Sequence, residues 1–214
     1  MVLGRSGCGK STLLNIMGGM IPPSQGRVTF HGEAITKPDP SRILLTQQPT
    51  LLPWLTVHEN VAFGCRLRKE VDDLEGRVHR SLEMVHLCGY EGYLPSQLSV
   101  GMQQRVCMAR ALVGNPSVLM LDEPFGALDT VTRSRLHHEV IEIRRKNPEI
   151  TLVFVTHDID EALALASRVV VLGGDPGHIL ADFSVASRYP RDPASPELRH
   201  LKESIIGYLW EESL

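Results

Sequence analysis

The stretch Gly4-Arg-Ser-Gly-Cys-Gly-Lys-Ser11 decides the fold. It fits the pattern GxxxxGK[ST], in which glycines let successive backbone N–H groups curl around phosphate oxygens at the start of a helix. The helix is predicted immediately afterwards. Lys10 to Met20 places Leu13, Leu14 and Met17 on one face, and Pro22 and Pro23 end it. A glycine-rich turn matching by chance is the plain alternative, but four defined positions running straight into a helical pattern argue against it.

Outward from this loop, short β-rich runs occur at Arg27 to His31, Arg42 to Thr46, Ser117 to Leu121, Thr151 to Thr156 and Arg168 to Leu172. The later runs are nearly all apolar, which predicts a parallel sheet covered on both faces. Between the second and third runs lies a helical insertion. It opens with Thr56 and Glu59 in capping-box spacing and continues through Leu74, Val78, Leu82 and Val85. A further amphipathic helix, Thr130 to Lys146, turns Leu136, Val140 and Ile143 inward and gathers basic residues at its C-terminal end. The segment Tyr189 to Pro196, with three prolines, leads to a last helix bearing Leu198, Leu201, Ile205 and Leu209. The class is α/β. One domain is expected over residues 1–214, with a core of 1–48 and 110–186, a helical subdomain over about 49–109, and a tail helix within 187–214.

Composition narrows the partners. With 22 basic against 25 acidic side chains the net charge is −3, so no global field draws the chain towards nucleic acid and phosphate binding must be local. Cys8, Cys65, Cys88 and Cys107 are scattered without a CxxC pair, which favours free thiols in a reducing, cytosolic compartment over a disulfide frame or zinc site. No apolar run approaches the roughly 18 residues a membrane span needs, so any membrane role goes through a partner.

A second chemical element lies at Val118-Leu-Met-Leu-Asp122-Glu123, an apolar strand delivering two carboxylates at its end, where α/β sheets place ligand sites. A strand running into an acidic turn is the plain reading. Beside a phosphate loop the pair has work to do: Lys10 holds β- and γ-phosphates, Ser11 and Asp122 ligate Mg²⁺, and Glu123 polarises an attacking water.

Between these two elements, Leu98-Ser-Val-Gly-Met-Gln-Gln-Arg105 resembles the signature sequence of ABC ATPases. Gln47 is similar to that family's Q-loop glutamine, Phe125-Gly-Ala-Leu-Asp129 to its D-loop, and His157 to its switch histidine, all in family order. A lone Gln or His beside a strand is usually a surface or capping residue, so Gln47 and His157 take their weight from this series. The resemblance covers nearly the whole chain. Leu51-Leu-Pro-Trp-Leu-Thr-Val57 and Asp122-Glu-Pro-Phe-Gly-Ala-Leu-Asp-Thr130 bring it nearest the importer ATPases for nitrate, sulfonate and taurine, although Pro53 and Trp54 could equally serve loop packing.

The resemblance implies a P-loop, RecA-like core and an ATP- and Mg²⁺-dependent ATPase. Its catalytic residues would be Glu123, His157 and Gln47. ATP would be held by Gly4, Arg5, Ser6, Gly7, Cys8, Gly9, Lys10, Ser11, Thr12, Gln47, Asp122 and His157, with Ser11, Gln47 and Asp122 on Mg²⁺. It also implies a head-to-tail dimer in which Ser99 and Gly101 of one subunit close over the γ-phosphate of the other. Asp129 would stand at the subunit junction. Permease subunits would dock on the helical insertion at the cytoplasmic face of the membrane, and an external solute-binding protein would act indirectly. Ser99 suits this role independently, as an N-cap that points backbone donors of a helix from Met102 to Val113 at an anion.

Two positions depart from the pattern. Only Met1 to Leu3 precede Gly4 where a strand of about five to six residues is usual, so the expectation is a truncated N-terminus lacking the first strands and the adenine-stacking aromatic. Val100 replaces a glycine of the signature, and a β-branched residue is strained wherever φ is positive. Competing classes are a soluble ATPase acting on nucleic acid or ribosomes, which should carry basic stripes, and an inactive assembly module. Cys8 is expected to fill space, His137 and His138 to be a solvated face, and Tyr208 and Trp210 to pack on the core.

Overall fold

The structure is a computed structural model and describes residues 1–126 and 130–211. The chain divides into two compact units, Met1–Lys37 with Val153–Leu214, and Pro38–Leu152. In chain order the first unit opens with β1 (Val2–Gly4), α1 (Lys10–Met17) and the strands β2 (Thr29–Phe30) and β3 (Glu33–Ala34). The second unit holds β4 (Arg42–Leu45), α2 (Val57–Leu67), α3 (Leu74–Met84), α4 (Val100–Leu112), β5 (Val118–Asp122) and α5 (Thr130–Lys146). The chain re-enters the first unit along β6 (Thr151–Thr156) and continues through α6 (Ile159–Leu165), β7 (Arg168–Gly173), β8 (His178–Ser184) and α7 (Pro196–Glu211).

In the first unit β1 lies between β6 and β7, parallel to both, with Leu3 level with Thr156 on one side and Val171 on the other. β8 pairs antiparallel with β7. Leu3, Val169 and Val171 pack with Ala162, Leu163 and Ala166 from the α6 region and with Leu198 and Ile205 of α7. Val2, also buried, points to the opposite face of the sheet, so β1 is covered on both sides as its apolar sequence requires. The predicted strand Arg27 to His31 is instead half of a small antiparallel hairpin, β2 with β3, turned by Gly32 at φ +85°. Its residues are largely exposed, because two strands alone have no second layer to bury them. The first helix also ends earlier than Pro22 implies, capped at Gly18, whose N–H bonds Leu14.

In the second unit β4 and β5 run parallel, Leu45 level with Leu121. The helical insertion is two helices rather than one: Val71 and Leu74 close a turn between α2 and α3, both of which pack on α4. The predicted capping box is present, with Thr56 Oγ accepting from Glu59 N at 3.2 Å and the Glu59 carboxylate accepting from Thr56 N at 2.8 Å. The N-cap hydrogen bonds hold the Glu59 carboxyl below its ordinary pKa. Leu136, Val140 and Ile143 of α5 are buried as the helical period predicts. All four cysteines are free thiols.

Candidate functional site

In the first unit β1 delivers Gly4 to a loop that enters α1 at Gly9, whose φ of +93° makes it a left-handed N-cap without a side-chain acceptor. The N–H groups of Lys10, Ser11 and Thr12, in a first turn that carries no acid, are therefore oriented for an external anion. At Gly7 and Gly9 no described atom lies within 4 Å of where a Cβ would stand, so this side of the loop is an open cradle. Gly4 faces the other way: a Cβ there would come within 2.5 Å of the Leu172 carbonyl oxygen. Lys10 is only 5% exposed, and its ammonium donates to the Gly4 and Arg5 carbonyl oxygens at 2.8 and 2.9 Å. The charge is thus held over the loop it serves.

His157 follows β6 directly. With Leu3 and Thr156 in register on parallel strands, His157 stands level with Gly4, exposed at the same C-terminal edge of the sheet. Asp158 steadies the corner, its N–H donating to Thr156 Oγ1 at 3.0 Å and its carboxylate capping α6 through Glu161 N at 3.1 Å. The phosphate loop and His157 are brought together within one unit.

The second unit assembles the acidic pair and the glutamine in the same manner. Leu119, Met120 and Leu121 bury β5 and leave Asp122 at its partly exposed end. Glu123 takes φ +43°, the left-handed region that a non-glycine residue rarely occupies, and its carbonyl accepts from Gly126 N at 3.2 Å to close a tight turn. Gln47 lies two residues beyond Leu45 and Glu123 two beyond Leu121, so the parallel register sets them level. A Cβ on Gly126 would stand 3.4 Å from Gln47 Nε2 and 3.8 Å from Glu123 Oε2, so amide and carboxylate border the same small space. Phe125, fully buried, anchors this turn with its ring edge on His137 at 4.9 Å. His137 therefore packs inward, while His138 is the solvated member of the pair. Asp129 lies outside the described residues.

At the signature stretch Ser99 caps α4, its hydroxyl accepting from Met102 N at 3.3 Å. The helix begins at Val100, two residues before the predicted start, and Val100 is absent from the positive-φ residues. The strain expected from a β-branched side chain does not arise, since the first helical position suits any L residue. Gly101 is buried, and a Cβ there would come within 2.9 Å of Thr132 Cγ2 on α5, so its small size serves helix packing within this chain.

Three features had no sequence signal. Gln103 Nε2 donates to the Pro95 carbonyl at 2.9 Å, and Arg105 reaches the Val85 carbonyl at 3.4 Å, tying the signature helix to the preceding segments. Beneath them Glu139 of α5 is 5% exposed, 3.7 Å from Arg105, and neither carboxylate oxygen has a hydrogen-bond partner among the described residues. Burial pushes its carboxyl up, with Arg105, His86 and Arg135 opposing. Gly177 supports the phosphate loop from behind, where a Cβ would meet the Cys8 carbonyl oxygen at 2.2 Å. Gly177 follows a run of turn residues, and only the close approach gives it a purpose.

Residues 1–126 match the family described as ABC transporter. The aliphatic sulfonates import ATP-binding protein of Bacillus thuringiensis subsp. konkukian (strain 97-27) is 42% identical over 205 residues, covering 96% of this chain and 80% of its own length. The taurine import ATP-binding protein of Rhizobium johnstonii is 40% identical over 224 residues, covering 98% of this chain and 83% of its own. Among solved structures, a dimeric post-hydrolysis ATP-binding cassette bound to ADP and Pi superposes with a TM-score of 0.72 at 30% identity, covering 87% of this chain and 85% of that one.

Proposed function

Because the chain belongs to the ABC transporter family, as the ATP-hydrolysing subunit of an importer, we propose that its transported solute is a small organic sulfonate, taurine, nitrate or a similar anion. What supports the solute class is the naming of the 40–42% identical relatives as sulfonate and taurine import proteins. As an import subunit it implies a dimer and a membrane-embedded permease. Among the described residues no helix is long and apolar enough to cross a membrane, which agrees with peripheral attachment through that permease. The finer reading places the attachment at the cytoplasmic face, on the helical segment at about 49–109, with an external solute-binding protein acting indirectly.

In this reading the loop from Gly4 to Thr12 takes the triphosphate, its open glycine face and uncapped helix start receiving the oxygens while Lys10 supplies the compensating charge. Ser11, Gln47 and Asp122 are hard oxygen donors, a set that suits Mg²⁺ rather than a softer metal. Bound there, Mg²⁺ would neutralise charge on the phosphates. Glu123, on its strained turn, accepts a proton from the attacking water, and Gln47, bordering the same space, helps orient it. His157 contacts the transferred group in this reading, which its level with Gly4 across the paired strands supports. Ser99 and Gly101 act in trans, the N-terminus of α4 presenting backbone donors to a partner's nucleotide.

The observation that carries the hydrolytic roles is the turn that brings Glu123 and Gln47 to one side of Gly126 at the end of β5. Replacing Glu123→Gln removes the proton acceptor and keeps the shape, so hydrolysis should fall by roughly 10²- to 10⁴-fold while ATP still binds and a nucleotide-bound dimer accumulates on size exclusion. Turnover close to wild type would assign the water to another group.

A further inference from the structure

Away from the nucleotide machinery, one cluster of metal-binding side chains converges among the described residues of the second unit. His79 on α3, and Cys88 and Glu91 in the loop after it, bring an imidazole nitrogen, a thiol sulfur and a carboxylate oxygen within 4.8 Å of one another. We infer that His79, Cys88 and Glu91 form a site for a divalent transition-metal ion of the zinc class.

The fold places the three ligands before any ion arrives. Val85 and Leu87 are fully buried, and Leu87 N donates to the Leu82 carbonyl at 2.9 Å, folding the loop back against the end of α3. Gly89, at φ +90°, reverses the chain between Cys88 and Glu91. The Glu91 carbonyl accepts from His58 N at 3.0 Å, and the Tyr93 carbonyl from Val57 N at 2.8 Å, so the loop is also fastened to the start of α2. Both ends of the cluster thus rest on secondary structure, while the His79 and Cys88 side chains remain exposed to an arriving ion.

The donor chemistry selects the ion. Nitrogen, sulfur and carboxylate oxygen are the ligands zinc uses, and three protein ligands with a fourth position left to water is an arrangement it tolerates. Bond lengths of about 2.0–2.3 Å put tetrahedral ligand atoms roughly 3.3–3.8 Å apart, a spacing that surface side chains at this separation reach by rotation. Burial, then Glu91 and Glu83, push the Cys88 thiol up, so an ion there has to displace the thiol proton, while the two carboxylates attract a cation. A bound ion would clip α3 to the loop that supplies the first backbone acceptors of α2. The spacing of one histidine, one cysteine and one glutamate over residues 79–91 follows no common zinc pattern, and Cys88 by itself reads as an isolated thiol.

The test uses the whole chain, untagged, reduced, stripped of metal and free of nucleotide, titrated with Co²⁺ and then Zn²⁺. The expected result is one equivalent of Co²⁺ with a thiolate charge-transfer band that Zn²⁺ displaces. Cys88→Ser should abolish that band. His79→Ala and Glu91→Ala should each weaken Zn²⁺ binding at least about 10-fold, a cost already typical for groups that merely support a ligand. The metal-free variants should unfold at the wild-type urea midpoint, since the three side chains lie at the surface. Absence of the band under a tenfold excess of Co²⁺, its survival in Cys88→Ser, or wild-type Zn²⁺ affinity in His79→Ala would overturn the assignment.

Discussion

A methyl group on Gly177 would come within 2.2 Å of the Cys8 carbonyl oxygen, a backbone contact that is relieved only if the phosphate loop or the turn after β7 moves. Gly177→Ala should therefore weaken ATP binding about 10-fold or more by calorimetry and leave the circular dichroism of the chain near wild type. Unchanged affinity would mean the turn after β7 yields instead of the loop. At this scale the residues whose chemistry shows in their own spacing were readable beforehand: Lys10 and Ser11 from GxxxxGK[ST], Asp122 and Glu123 from an apolar strand ending in acids. Gln47 and His157 were readable only through their order in a series, because the register that sets Gln47 beside Glu123 and His157 beside Gly4 is a property of paired strands. Gly177 and Gly126 matter through what they nearly touch, and no local pattern encodes that.

Among the elements, α4 carries the most information. Its Ser99 cap was legible, since Ser before an amphipathic run has a known partner in the third backbone N–H. The meaning of Val100 was not, because the same residue is strained in a left-handed loop and comfortable at the first turn of a helix, and only the helix start distinguishes them. Val100→Gly should consequently cost up to about 0.5 kcal/mol in urea unfolding through added backbone freedom and leave the ATPase rate within about twofold. A large gain in rate would return Val100 to the list of defects. Beneath the same helix, burial raises the Glu139 carboxyl above its ordinary value of 4.5. The folded chain then holds a proton that the unfolded chain releases, so this group's contribution is full below pH 4.5 and is lost as pH rises towards its folded value. Urea midpoints followed from pH 4.5 to neutrality should decline more for wild type than for Glu139→Gln. Parallel profiles would show that Arg105 compensates the charge completely. Short elements were harder to read: the β2–β3 hairpin and α6 have too few residues for a period to emerge, and β8 is a half-exposed edge whose sequence lacks the apolar continuity of the inner strands.

For the whole molecule, the class was legible because apolar strands alternate with helices downstream of a phosphate loop, a pattern with few other solutions. The division into units was not, because the polypeptide leaves the first unit after Lys37 and returns at Val153, a long excursion that periodicity cannot detect. Family membership rests on residues 1–126 and on relatives matched along nearly the full chain. Everything proposed for transport depends on the loop at Gly4 to Ser11 receiving a triphosphate. Calorimetric titration of the folded chain with ATP in the presence of Mg²⁺ tests this most directly. One nucleotide should bind per chain, and Lys10→Ala, which removes charge-assisted hydrogen bonds, should reduce affinity by about 10- to 100-fold. A well-folded chain that takes up no ATP at millimolar concentration, or a Lys10→Ala variant that binds like wild type, would contradict the account.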